Sequence, residues 1–103
     1  WIADWVRLAK RYRGNPTVIG ADLHNEPHGA ATWGSGKKET DWRLAAERAG
    51  SRIQSANRDW LIVVEGVETA GGHTTWWGSN LREAAAHPVR LPVPGKLVYS
   101  VHE

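Results

Sequence analysis

The 103-residue sequence has no cysteine, no methionine and no phenylalanine. Without cysteine there is no disulfide and no thiolate metal site, and the redox compartment stays open. No apolar stretch approaches the roughly 20 residues that cross a bilayer as a helix, so no transmembrane segment is expected. Charge of one sign is scarce as well: 13 Lys and Arg against 11 Asp and Glu leave a net +2, scattered along the chain. That balance implies no strong basic field for nucleic acid or for a membrane surface. A chain that lacks methionine, opens on Trp1 and stops at His102-Glu103 is expected to be cut from a longer protein, so the lack of a signal peptide excludes nothing. What the chain does have is tryptophan, seven in all. Trp1, Trp5, Trp42 and Trp60 fall at helix or strand-start positions and are expected in the core; Trp33, Trp76 and Trp77 lie in loops, where an indole can serve as a platform.

Three short apolar runs, Val18–Leu23, Leu61–Glu65 and Leu97–Val101, are rich in β-branched residues and bounded by turn formers. They read as strands. None alternates cleanly between apolar and polar, which suggests burial on both faces, as in a parallel sheet. Helical patterns separate them. Residues 1–13 bring Ile2, Trp5, Val6, Ala9 and Tyr12 to one side before Gly14-Asn15-Pro16 stops the helix. Residues 41–57 carry a stripe of Trp42, Ala45, Ala46, Ala49, Ile53 and Ala56, with Thr40 as the expected N-cap. Residues 79–87 are expected to form a short helix ended by Pro88, and 29–40 and 66–80 to be long glycine-rich loops. Helix and strand in alternation mean βα units around a parallel sheet. Spacing near the roughly 30 residues per unit of a (β/α)₈ barrel makes this an α/β chain holding part of a TIM barrel. Three strands cannot close such a barrel, so marginal stability or association is expected of the isolated chain.

In sheets of this kind ligands bind beyond the carboxyl ends of the strands. The first strand delivers His24, Asn25, Glu26 and His28 there. The second delivers Glu65, then Glu68 and the loop with His73, Trp76 and Trp77. The third delivers His102 and Glu103. A carboxyl group, hydrogen-bond partners for hydroxyls and aromatic platforms on one rim are what a carbohydrate-cleaving cleft requires. Glu26 taken alone could be a structural glutamate at a strand end, or a general acid/base. Pro27 favours the second, because it fixes the following turn and disfavours helical geometry at Glu26.

Residues 11–28, RYRGNPTVIGADLHNEPH, resemble the fourth-strand region of glycoside hydrolase family 5, the cellulase family of clan A: Asn25-Glu26-Pro27 closes an apolar strand, with Gly14-Asn15-Pro16 before it. LIVVEG (61–66), WWGSNL (76–81) and LVYSVHE (97–103) are similar to the fifth- and sixth-strand regions of its bacterial endo-β-1,4-glucanases. The resemblance spans nearly the whole chain, about the third helix to the sixth strand, and residues 1–103 are then the central part of one catalytic domain. It implies a retaining mechanism with two carboxyls about 5–5.5 Å apart and a covalent glycosyl-enzyme intermediate. Glu26 would be the general acid/base, Asn25 the partner of the sugar 2-hydroxyl, His102 a cleft residue near the catalytic pair, and Trp76 or Trp77, with Trp77 preferred, the stacking platform. No cofactor and no metal are implied. The substrate would be a β-1,4-glucan polysaccharide or oligosaccharide, the complete protein secreted and monomeric. The family's nucleophile, a glutamate after the seventh strand, has no counterpart here, so the 103 residues alone are expected to be inactive. Glu65 is expected to support the barrel interior and not to catalyse.

A metal site at His24, Glu26 and His28 would need one helical face, which Pro27 forbids. The H-x-E of zinc deaminases would need cysteine ligands, and there are none. The two histidines are expected to hydrogen-bond at the rim, and His73 to be a solvated loop residue. A non-catalytic carbohydrate-binding module using Trp33, Trp76 and Trp77 would be an antiparallel sandwich. A mannanase or an exo-acting glucosidase of the same clan differs too little in motif to be separated, although WWGSNL leans toward β-1,4-glucan.

Overall fold

A computed structural model describes residues 1–103. Helix α1 (Ile2–Arg11) leads into strand β1 (Gly20–Asp22), helix α2 (Trp42–Ala56), strand β2 (Leu61–Glu65), the short strands β3 (Thr69–Ala70) and β4 (His73–Thr74), and strand β5 (Leu97–Ser100). The main sheet runs β1-β2-β5 and is parallel throughout, with Ala21 opposite Ile62 and Val63 opposite Val98. A parallel three-stranded sheet, with α2 in the crossover from β1 to β2 and a hairpin and turns in that from β2 to β5, suits part of a (β/α)₈ barrel and excludes the antiparallel sandwich.

Strand β2 is paired on both sides; Leu61 and Val63 on one face are half-buried, while Ile62 and Val64 on the other are fully buried. Ala46, Ala49 and Ile53 of α2 are buried with them, the small residues letting the helix lie close to the sheet. Trp42, Trp60 and Trp33 also belong to this core, whereas Trp1 is 46% exposed. Trp33 is therefore no platform; its indole N–H donates to the His87 carbonyl at 2.8 Å. Strand β1 is shorter than the apolar run around it, although pairing reaches beyond it: the Leu61 N–H donates to Ile19 O at 2.9 Å and the Leu23 N–H to Val63 O at 3.2 Å.

Three local expectations need correction. The cap of α2 is Asp41, not Thr40: its Oδ1 accepts the Leu44 N–H, and the same buried carboxylate takes the Gly34 and Gly36 N–H groups at 3.1 and 2.8 Å. A carboxylate with two acceptor oxygens at a helix N-terminus outcompetes a hydroxyl. Residues 79–87 are a series of turns, not an α-helix. Asn80 is buried and already used: its Nδ2 donates to His73 O at 2.8 Å and its Oδ1 accepts the Arg82 N–H at 3.1 Å. The few residues left before Pro88 are too short to nucleate a helix. The 66–80 loop contains a hairpin, β3 antiparallel to β4, turned by Gly71-Gly72 at φ +58° and +75°. A two-residue Gly-Gly turn of this hand matches strand twist. No helix is long and apolar enough to cross a membrane.

Candidate active site

The carboxyl ends of β1, β2 and β5 carry Glu26, Glu65 and His102 to one place. Just past β1 the Leu23 carbonyl accepts the indole N–H groups of Trp1 and Trp5 at 3.1 and 3.2 Å. The chain then turns through His24 and Asn25 to Glu26, the one non-glycine residue with a left-handed backbone, at φ +50°. That conformation costs on the order of 1 kcal/mol for a residue with a Cβ. It is held from the neighbouring strand: the Glu26 N–H donates to Glu65 Oε2 at 2.7 Å.

The imidazole of His102 lies between two carboxylates. Its Nδ1 is 3.1 Å from Glu26 Oε1 and its Nε2 is 3.2 Å from Glu65 Oε1. A neutral imidazole has one N–H; satisfying both oxygens takes the imidazolium. The His102 pKa is accordingly raised, above all by the hydrogen bond to Glu26; desolvation opposes it, and the charges of Glu65, Glu26 and Asp22 add to the rise. The Asp22 carboxyl is raised by burial, with the His102 charge working against it. Glu26 and His102 each keep about a third of their side chains exposed, at 30% and 34%, whereas Glu65 is 1% exposed. Of the two carboxylates, Glu26 is thus the one open to solvent.

The loop after β2 closes over this group. Trp77 stacks on His28, ring centroids 4.0 Å apart and planes within 12°, and His28 Nδ1 is 2.7 Å from the Glu26 carbonyl. Gly78 follows, packed where any Cβ would sit 2.5 Å from Glu65 Oε2 and 3.1 Å from Glu26 Cα. A second lacing bond repeats the first three residues on, from the Gly29 N–H to Glu68 Oε2 at 2.8 Å. Trp77 leaves 46% of its surface exposed and Trp76 leaves 66%. Asn25 is exposed beside Glu26. His24 turns away, its Nδ1 on the Asn25 carbonyl at 2.9 Å and its ring edge-on to Trp42. A cleft of about 420 Å³ between Trp1, His24, Pro27, His28 and Trp42 lies on that other side of the loop and does not include Glu26 or His102. His73 is exposed in β4. Of the residues singled out in the sequence, Glu26 and His102 are in direct contact, Trp77 joins them through His28, and Trp76 stands apart at the surface. Asp22 and Gly78 were not foreseen. The glycine could have been suspected from its place after two tryptophans; the aspartate gave no signal.

Residues 1–103 match the model of the cellulase family, glycosyl hydrolase family 5, over their full length. The chain belongs to glycosyl hydrolase family 5. An endoglucanase of Paenibacillus polymyxa is 59% identical to this family-5 chain over 106 residues, covering 100% of the chain and 27% of the relative. The major extracellular endoglucanase of Xanthomonas campestris pv. campestris is 44% identical over 108 residues, covering 99% of the chain and 22% of the relative. A solved catalytic domain of the major endoglucanase from that bacterium superposes with a TM-score of 0.91 at 42% identity, over 100% of this chain and 31% of the domain. A cellotetraose complex of an endocellulase from Pyrococcus horikoshii gives the same TM-score over 99% of this chain and 32% of that one. The family-5 chain thus spans about a fifth to a third of the length of these relatives. Its three parallel strands and their helices are part of a (β/α)₈ barrel.

Proposed function

We propose that residues 1–103 are the central part of the catalytic domain of a secreted β-1,4-glucan hydrolase, with Glu26 as its general acid/base. The observation that carries this reading is the half-exposed Glu26 carboxyl, paired with His102 at 3.1 Å on the strand-end rim, beside the open indole of Trp77. The likeness to endoglucanases, one of them named extracellular, supports the substrate class and the location.

The chemistry is a retaining double displacement. Protonated Glu26 gives its proton to the glycosidic oxygen as the bond from that oxygen to the anomeric carbon breaks. A carboxylate nucleophile from outside these residues takes up the anomeric carbon as an ester. Glu26, now anionic and held against the His102 imidazolium, then accepts a proton from water as that water attacks the same carbon and releases the nucleophile. Asn25 hydrogen-bonds the sugar 2-hydroxyl, and Trp77, with Trp76 further out, stacks on glucosyl rings. No cofactor or metal takes part, and the complete protein acts as a monomer on cellulose or its oligosaccharides. The 103-residue chain alone hydrolyses nothing measurable.

The test is Glu26→Gln in the full-length protein. Turnover of cellulose falls by about 10²–10⁴, the usual worth of acid/base assistance. The glycosylation step of an aryl cellobioside whose leaving group needs no proton is far less affected. Equal losses on both substrates would remove the acid role.

A further inference from the structure

The buried Glu65 is not used in that chemistry, yet the geometry ties it to the acid at two points. We infer that Glu65 is a positioning residue, one carboxylate oxygen fixing the left-handed backbone of Glu26 and the other orienting His102 against the Glu26 carboxyl. The inference rests on Glu26 being the acid/base.

A buried charge is retained only where its oxygens are fully matched. Glu65 is 1% exposed, and both oxygens are matched by the groups that define the site: Oε2 by the Glu26 N–H at 2.7 Å, Oε1 by His102 Nε2 at 3.2 Å. A strained backbone persists only where its surroundings over-determine it. Around Glu26 those surroundings are the Glu65 oxygen, the buried Pro27 and the side-chain-free face of Gly78. Glu65 stands at the end of β2, the strand paired on both sides, and its carbonyl is pinned by the Trp42 indole N–H at 2.9 Å. The acid is therefore placed by the neighbouring strand β2 and not only by its own short strand β1.

A carboxylate at position 65 also does what an amide could not. With Asp22, Glu26 and Glu65 around it, the His102 pKa is raised, the charge of Glu65 adding to the hydrogen bond with Glu26. As Glu26 loses its proton to the leaving oxygen, the ring that pairs with the new carboxylate is already oriented by Glu65, with no reorganisation at the moment of reaction. A glutamine would keep an oxygen for the Glu26 N–H and lose the charge.

The experiment compares Glu65→Ala, Glu65→Gln and Glu26→Gln in the full-length enzyme on two substrates, cellulose and a 2,4-dinitrophenyl cellobioside, together with the His102 imidazole titration by NMR. Glu65→Ala is expected to lower turnover on cellulose by up to about 10²-fold, the effect of misplacing a catalytic group by an ångström. Its kcat/KM on the activated substrate should hold. Glu65→Gln should keep most of the cellulose turnover and lower the His102 midpoint. Equal losses on the two substrates in Glu65→Ala, or undiminished cellulose turnover, overturn the inference. If the alanine variant does not fold, an unmoved His102 midpoint in Glu65→Gln overturns it instead. Leaving-group dependence in Glu26→Gln without it in Glu65→Ala sinks this inference alone; its absence in Glu26→Gln sinks the acid/base reading beneath it.

Discussion

Adding one methyl group at Gly78 strikes the site without replacing any titratable residue. The Cβ of Gly78→Ala would lie 2.5 Å from Glu65 Oε2 and 3.1 Å from Glu26 Cα, on a backbone at φ +74°. The left-handed φ alone costs about 1–2 kcal/mol once a Cβ is present. Relieving the clash means moving a buried carboxylate off the Glu26 N–H, about 1–3 kcal/mol more for the unsatisfied pair. Gly72 is the internal control, because it has nearly the same φ, +75°, and nothing within 4 Å of its Cβ position. Each kcal/mol moves the melting temperature of a protein of barrel size by about 2–4 °C. Calorimetry on the full-length protein should then show Gly78→Ala lowering Tm at least twice as far as Gly72→Ala. Turnover on cellulose should fall only in Gly78→Ala, since displacing Glu26 by a fraction of an ångström to an ångström costs up to about 10²-fold. Equal Tm shifts with unchanged turnover would refute the packing of the tryptophan loop on the acid.

Two further outcomes follow from named contacts. Asp41→Ala removes the cap of α2 together with the acceptor for two loop N–H groups, and denaturant unfolding should show a loss of about 2–4 kcal/mol, with Asp41→Asn losing less. The His102 imidazole should titrate above the ordinary 6.5, and Glu26→Gln should bring the midpoint down, because the hydrogen bond to Glu26 is the largest cause of the rise. The sign for stability follows. A histidine raised in the folded state contributes stability fully present below its unfolded pKa, and that contribution is lost as pH rises through the folded value. NMR titration of the two proteins checks both statements, and coincident midpoints would show that the two side chains are not paired.

The strands were legible because β-branched residues crowd into short runs bounded by turn formers, and the sheet's direction because a helix fills the first gap between those runs and the second is long enough for a crossover. The stripe on 41–57 was legible for the same reason, its small alanines being the price of close approach to β2. The cap was misread because Thr40 and Asp41 both suit the position, and only the loop they share shows that Asp41 is needed by Gly34 and Gly36 as well. The run 79–87 misled because its alanines favour helix while the Asn80 amide N–H groups reach Ala70 and His73 outside the run. At the site, Glu26 and His102 announced themselves by their place at strand ends. The bond from Glu26 to Glu65 could not, since it joins residues 39 apart whose approach depends on strand register and on the missing side chain of Gly78. Trp33 shows the same limit: its place in a loop says nothing about which way the indole turns.

The most direct measurement is rescue of full-length Glu26→Ala by azide, with an activated aryl cellobioside as substrate. Azide attacks the anomeric carbon without needing a proton removed, so a glycosyl-enzyme stalled for want of its base should turn over again. The account predicts faster release with added azide and a β-configured glycosyl azide as product. No acceleration, or an α-configured product, would contradict it.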